Sequence, residues 1–122
     1  VSGRLVIVSN RLADPGKAAA GGLAVALGEA LKTTGGMWFG WSGEIVEAAD
    51  GGVPGECEVH LQQSGDITLA QIDLSRDDHS TYYLGYANRV LWPVFHYRLD
   101  LADFNPGYMQ GYQRVNRMLA QK

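Results

Sequence analysis

"RLVIVSNRLADPGKAAAGGLAVAL", residues 4–27, is the stretch on which the fold turns. Leu5 to Ser9 is a short continuous run of apolar and β-branched residues closed by Asn10 and Arg11, the pattern of a strand buried on both faces of a parallel sheet. After a loop, Gly21-Gly22 opens a second periodicity. Leu23, Ala26, Leu27, Ala30 and Leu31 recur at helical spacing, Glu29 and Lys32 fall on the wet side, and Gly35-Gly36 stand where a helix ends. A strand followed by such a helix is the first βα step of an α/β fold, and the helix is expected to lie on the sheet through that stripe.

Further along, "MWFGWSGE" (37–44) has the aromatics of a strand and glycines that allow close backbone approach, with Trp38 and Phe39 expected in the core. Residues 47–55, rich in Gly, Ala and acid, read as an exposed loop. "CEVHLQQ" (57–63) alternates apolar and polar positions, and "ITLAQIDL" (67–74) follows Ser64-Gly65-Asp66, which predicts a β-hairpin turning at that glycine. From Ser75 the pattern turns helical: Ser75 stands three residues before Asp78, a capping-box-like start, and Pro93 interrupts the apolar run. Asn105 and Pro106 then open a helix as N-cap and first residue, with Tyr108, Tyr112, Val115 and Leu119 as one stripe. No later strand receives that stripe, so it is expected to be exposed and to drive self-association into a homo-oligomer.

Composition excludes several classes of function. Over 122 residues, 10 Lys and Arg stand against 13 Asp and Glu, a formal charge of −3 with no basic run, so nothing favours nucleic acid or an anionic membrane. An anionic ligand must be met by local arginines. The one cysteine, Cys57, has no partner spacing; it reads as a small half-buried apolar residue and fits a reducing cytoplasm without a structural metal. No stretch approaches the ~18 to 20 apolar residues of a membrane span.

A strand's C-terminal end is where an open α/β sheet binds ligands, and a helix N-terminus presents N–H groups to an anion. Gly21-Gly22 suits a phosphate at that junction, though a glycine pair also simply starts a helix. Arg11, at the strand end, suits bidentate phosphate recognition or plain solvation. Trp41 and Trp92 serve either a sugar face or the core. Of Tyr82-Tyr83, adjacent on a helical run, at most one belongs to the core. His96 reads as a satisfied core histidine, and His60 and His79 as exposed positions without a role.

The combination "RLVIVSNRL", "AGGLAVALGEAL", "GGMWFGWSGE", "YY", "NRVLWPVFHYRLD" and "GYQRVNRMLA", in that order, resembles the amino-terminal part of the trehalose-6-phosphate synthase family. The resemblance implies a GT-B glycosyltransferase with two Rossmann-like domains. The 122 residues would be the first part of the amino-terminal, acceptor-side domain, carrying a β-hairpin insertion, with the UDP-binding carboxy-terminal domain absent. It further implies transfer of glucose from UDP-glucose to glucose 6-phosphate, giving α,α-trehalose 6-phosphate and UDP with retention, without metal or other cofactor. Position by position, Arg11 and Tyr83 would hold the acceptor phosphate, Trp41 and Trp92 would line the acceptor sugar pocket, and Gly21 and Gly22 would approach the donor diphosphate. No catalytic residue is expected within these motifs, and the fragment alone is expected to transfer no glucose. A pseudo-glycosyltransferase coupling cyclitols, or a non-catalytic sugar-phosphate-binding or regulatory module, would share the scaffold.

Overall fold

β1 (Val6–Arg11) leads through α1 (Gly22–Thr34) into β2 (Gly36–Val46), and a hairpin follows, β3 (His60–Ser64) and β4 (Ile67–Ser75). The computed structural model describes residues 3–14, 21–47 and 58–122. Cys57, residues 48–55 of the expected loop and the start of the "CEVHLQQ" alternation lie outside them. The chain divides into two compact units, Val1–Glu44 with Glu58–Asp73, and Ile45–Cys57 with Leu74–Lys122.

In the first unit the strands stand in the order β1-β2-β4-β3. β1 and β2 are parallel, in a register that sets Val6 opposite Met37 and Ser9 opposite Gly40. β4 runs the same way as β2, since the Gly36 N–H donates to the Asp66 carbonyl at their starts (3.1 Å) and Ser42 meets Asp73 further along both. β3 is antiparallel to β4 and joined to it by the two residues Gly65-Asp66, with Gly65 at φ 58°, the left-handed conformation that tight hairpin turns demand. The hairpin is part of the sheet itself, because β4 is an inner strand whose Ile67, Leu69, Ala70, Ile72 and Leu74 are all buried.

Two expectations are corrected here. Among the described residues β1 is not buried on both faces: Val6 and Val8 are 52% and 61% exposed, since β1 stands at the edge of the sheet these strands form, while Ile7 packs on the core. The inward face of α1 is Ala24, Leu27, Gly28 and Leu31, with Leu23, Ala26 and Ala30 outside. An alanine-rich helix offers several nearly equivalent stripes, and the one that faces inward carries Leu31, fully buried with Leu12, Trp38, Ile67 and Leu69, and Leu27 and Ala24, partly buried against that cluster. α1 ends as its glycines require, the Gly35 N–H donating to the Leu31 carbonyl at 2.7 Å.

The second unit is helical. α2 (Arg76–Asp78) runs into a π-helical stretch (His79–Leu91) and then α3 (Trp92–Phe95), and after a 3₁₀ turn (Leu99–Leu101) comes α4 (Pro106–Ala120). Ser75 caps α2, its hydroxyl accepting from the Asp78 N–H at 3.1 Å, and Asn105 caps α4 by accepting from the Gly107 N–H at 2.9 Å. Pro93 does not stop the helix at its own position. It sits in the first turn of α3, where proline is tolerated, and the helix closes at Phe95.

The stripe of α4 is not exposed, against expectation: Val115 and Leu119 are buried, and Tyr108 and Tyr112 pack against the π-helical stretch. Two glycines permit the close approach. A Cβ on Gly111 would fall 2.0 Å from Thr81 Oγ1, and one on Gly85 would fall 2.5 Å from the Tyr108 ring. Arg114 binds the carboxylates of Asp78 (Nε to Oδ1, 2.7 Å) and Asp77 (3.0 Å), so the one buried acid among the described residues is paired.

Candidate functional site

The C-terminal end of β1 is built to aim an arginine. Between Ser9 and Arg11 the pairing with β2 slips by one residue, so Arg11 faces Trp41 where a regular ladder would bring Asn10. Such bulges redirect the side chain that follows them. The Trp38 indole N–H donates to Ser9 Oγ (2.9 Å), and the Ser9 hydroxyl donates to the Arg11 carbonyl (2.9 Å). A buried tryptophan thus anchors the serine that spans the bulge. Gly40 makes room for it, since a Cβ there would lie 2.3 Å from the Ser9 carbonyl oxygen.

The Arg11 guanidinium carbon lies 5.3 Å from the centre of the Trp41 ring, and a Cβ on Gly43 would stand 3.2 Å from its Nη2. Gly43 has φ 95°, a conformation that glycine adopts without strain. The guanidinium therefore rests on an aromatic face and against bare backbone, its charge favoured by the ring. Trp41 itself is only 3% exposed and its indole N–H donates to the Glu44 carbonyl at 2.8 Å. It is a seat for Arg11 more than an open wall. Ser9 and Gly43 were not singled out by sequence; the signal for both is their place in "SNR" and "WSG", but their roles need the pairing of β1 with β2.

Gly21 and Gly22, at the start of α1, are exposed, and a Cβ on either would meet nothing within 4 Å. Gly21 has φ 110°, which favours glycine there; no contact among the described residues explains a glycine at 22. The helix start carries no side-chain cap. The first unit thus contains Arg11, Trp41, Gly21 and Gly22, with Arg11 and Trp41 in contact.

Tyr83 and Trp92 belong to the second unit. Tyr82 is buried and stacks on Tyr112, while Tyr83 is half-buried and stacks on His79 at 5.9 Å between ring centres. Burial, with Tyr112 and Tyr83 adding to it, pushes the Tyr82 hydroxyl far above the ordinary tyrosine range. Trp92 is 49% exposed and carries the ring of His96 on it. His96 is itself exposed, so the expectation of a core histidine is corrected: the helix ends at Phe95 and leaves residue 96 outside any packed face. Arg98 grips Asp100 with two parallel hydrogen bonds (2.9 and 2.8 Å), which lower the Asp100 pKa and raise that of Arg98. Among the described residues no group of His, Cys, Asp or Glu is arranged to hold a metal, and no helix is long and apolar enough to cross a membrane.

The sequence profile of glycosyltransferase family 20 matches residues 5–122. The chain belongs to glycosyltransferase family 20. Within that family it is 52% identical to the trehalose-6-phosphate synthase of Enterobacter sp. (strain 638), an alignment covering 98% of this chain and 24% of the relative. The enzyme of the same name from Klebsiella pneumoniae is 50% identical over the same shares. Among solved family-20 structures, the α,α-trehalose-phosphate synthase (UDP-forming) of Burkholderia xenovorans in complex with glucose 6-phosphate is 48% identical. It superposes with a TM-score of 0.84 over 98% of this chain and 25% of its own. A structure from E. coli bound with UDP-2-fluoro glucose is 46% identical, with a TM-score of 0.72 over 98% and 24%. The chain thus spans about a quarter of the length of the relatives it matches.

Proposed function

We propose that this chain is the acceptor-side part of a GT-B enzyme that moves glucose from UDP-glucose to glucose 6-phosphate. The products are α,α-trehalose 6-phosphate, with retention at the anomeric carbon, and UDP. The observation that carries the reading is Arg11. A guanidinium seated at the C-terminal end of a parallel strand on the Trp41 ring and against Gly43, with Ser9 fixing the Arg11 carbonyl, is preorganised for a phosphate, and the B. xenovorans relative was solved with glucose 6-phosphate. Tyr83 donates its hydroxyl to the same phosphate, and Trp92 stacks the acceptor sugar. Trp41 serves the acceptor through Arg11.

Gly21 and Gly22 receive the donor diphosphate at the start of α1, where backbone N–H groups and the helix dipole offset negative charge on the leaving UDP. The absence, among the described residues, of any packing reason for glycine at 22, and a relative solved with a UDP-sugar analogue, support this role. In this reading the residues position substrates and stabilise charge, and neither metal nor cofactor takes part. The single cysteine supports a cytoplasmic setting. Homo-oligomerisation, without the α4 stripe, rests on the exposed apolar side chains of β1.

In the complete enzyme, Arg11→Ala is expected to raise the KM for glucose 6-phosphate roughly 10- to 100-fold, the range of a lost charge-assisted contact, and to leave the KM for UDP-glucose nearly unchanged. Equal effects on both substrates would refute the assignment.

A further inference from the structure

Among the described residues, the His96 side chain meets Trp92 in two ways, by its face and by its edge. The imidazole lies flat on the indole, with ring centres 4.1 Å apart and planes 14° from parallel. Its Nδ1 is 2.7 Å from the Trp92 carbonyl oxygen. A carbonyl only accepts, so Nδ1 carries the proton and the ring is fixed at face and edge by one residue. The two positions are four apart, on one face of a helix end. Both side chains are exposed, so among the described residues no surrounding core orders them.

We propose that His96 is a positioning residue for the Trp92 indole in acceptor binding. The proposal rests on the reading that Trp92 stacks the acceptor sugar. An exposed indole otherwise populates several rotamers, and binding must then order it at a cost in affinity. Backed by the imidazole on one face, the indole holds one orientation and offers its other face and rim to a pyranose ring. The stack thus converts a mobile surface tryptophan into a fixed platform. The hydrogen bond to the carbonyl holds the imidazole where the stack needs it.

Three substitutions separate stacking from mere capping of the helix end. His96→Phe keeps an aromatic ring and loses the hydrogen bond, His96→Asn keeps a donor for the carbonyl and loses the ring, and His96→Ala loses both. Trp38 and Trp41 are buried, so acrylamide quenching of tryptophan fluorescence in this chain reports Trp92. Quenching is expected to rise in His96→Ala and His96→Asn and to return towards the parent value in His96→Phe. In the complete enzyme, His96→Ala and His96→Asn are expected to raise the KM for glucose 6-phosphate roughly 3- to 10-fold, the range of an aromatic pair, with kcat and the KM for UDP-glucose unchanged. His96→Phe should restore it.

Restoration by Asn and not by Phe would overturn the proposal in favour of a capping role, and so would a His96→Ala enzyme with parental quenching and KM. Trp92→Ala tests the underlying reading. A parental KM for glucose 6-phosphate in that variant would remove the acceptor role of Trp92 and the proposal with it. A raised KM there beside a parental His96→Ala would remove the positioning role alone.

Discussion

Arg11 and Gly22 owe their proposed roles to different kinds of fit. Arg11 is held by contacts, from the Ser9 hydroxyl on its backbone carbonyl and from the Trp41 ring and the bare backbone of Gly43 on its guanidinium. Gly22 is marked instead by the room the described residues leave around it, and the two cases predict different outcomes. Alanine at 22 is a better helix former than glycine by roughly 1 kcal/mol, so Gly22→Ala should leave the thermal midpoint unchanged or raised. The same methyl group stands where the donor diphosphate would approach. The KM for UDP-glucose in the complete enzyme should therefore rise, and a parental KM would show that the glycine serves only the helix. Tyr82 carries a pH dependence of its own. Its folded pKa is raised, so the folded state holds the hydroxyl proton more tightly than the unfolded chain, whose tyrosine titrates at about 10. That contribution is intact below pH ~10 and is lost as pH rises above it, because unfolding then releases a proton. Denaturation curves at pH 8 and 11 should show a steeper alkaline loss for the parent than for Tyr82→Phe.

The helix from 76 to 95 ends in a Schellman motif assembled around an unusual residue. The Arg98 N–H donates to the Pro93 carbonyl (2.8 Å) and the Tyr97 N–H to that of Val94 (3.3 Å), with Tyr97 at φ 58° where glycine is the usual occupant. Tyr97 is 94% exposed, so little packing offsets the strain. Tyr97→Gly is accordingly expected to stabilise the protein by about 1 kcal/mol, read as a shift in the urea midpoint at constant slope. At this scale the caps were legible in the sequence. Ser75, Asn105, Gly35 and Gly65 all act as their residue types predict, because each works through local backbone geometry. The faces of α1 and α4 were less so. Periodicity identified two helices, but which stripe of α1 faces inward depends on where Leu31 meets Leu12, Trp38, Ile67 and Leu69, and the stripe of α4 is covered because Gly85 and Gly111 admit the neighbouring helix.

For the chain as a whole, stability in the first unit centres on Leu31, fully buried with Leu12, Trp38, Ile67 and Leu69. Leu31→Ala should cost roughly 3 kcal/mol, a large share of the ~5 to 15 kcal/mol that separates folded from unfolded domains, and a calorimetric midpoint within a degree of the parent would contradict that core. The parallel β1-α1-β2 unit, the hairpin turn and the two helices of the second unit follow from the sequence by itself. So does the family, because the motifs are long, ordered and contiguous along the chain. Both rest on information local in sequence: backbone preference, apolar period and capping chemistry. Only the tertiary structure decided that β1 lies at the edge of the sheet the described residues form, that Trp41 carries Arg11 on its ring, and that His96 stands outside the core and stacks on Trp92. Each of these depends on which surfaces meet and how closely. That is set by packing between segments distant in sequence, or by where a helix stops, and no local pattern encodes it.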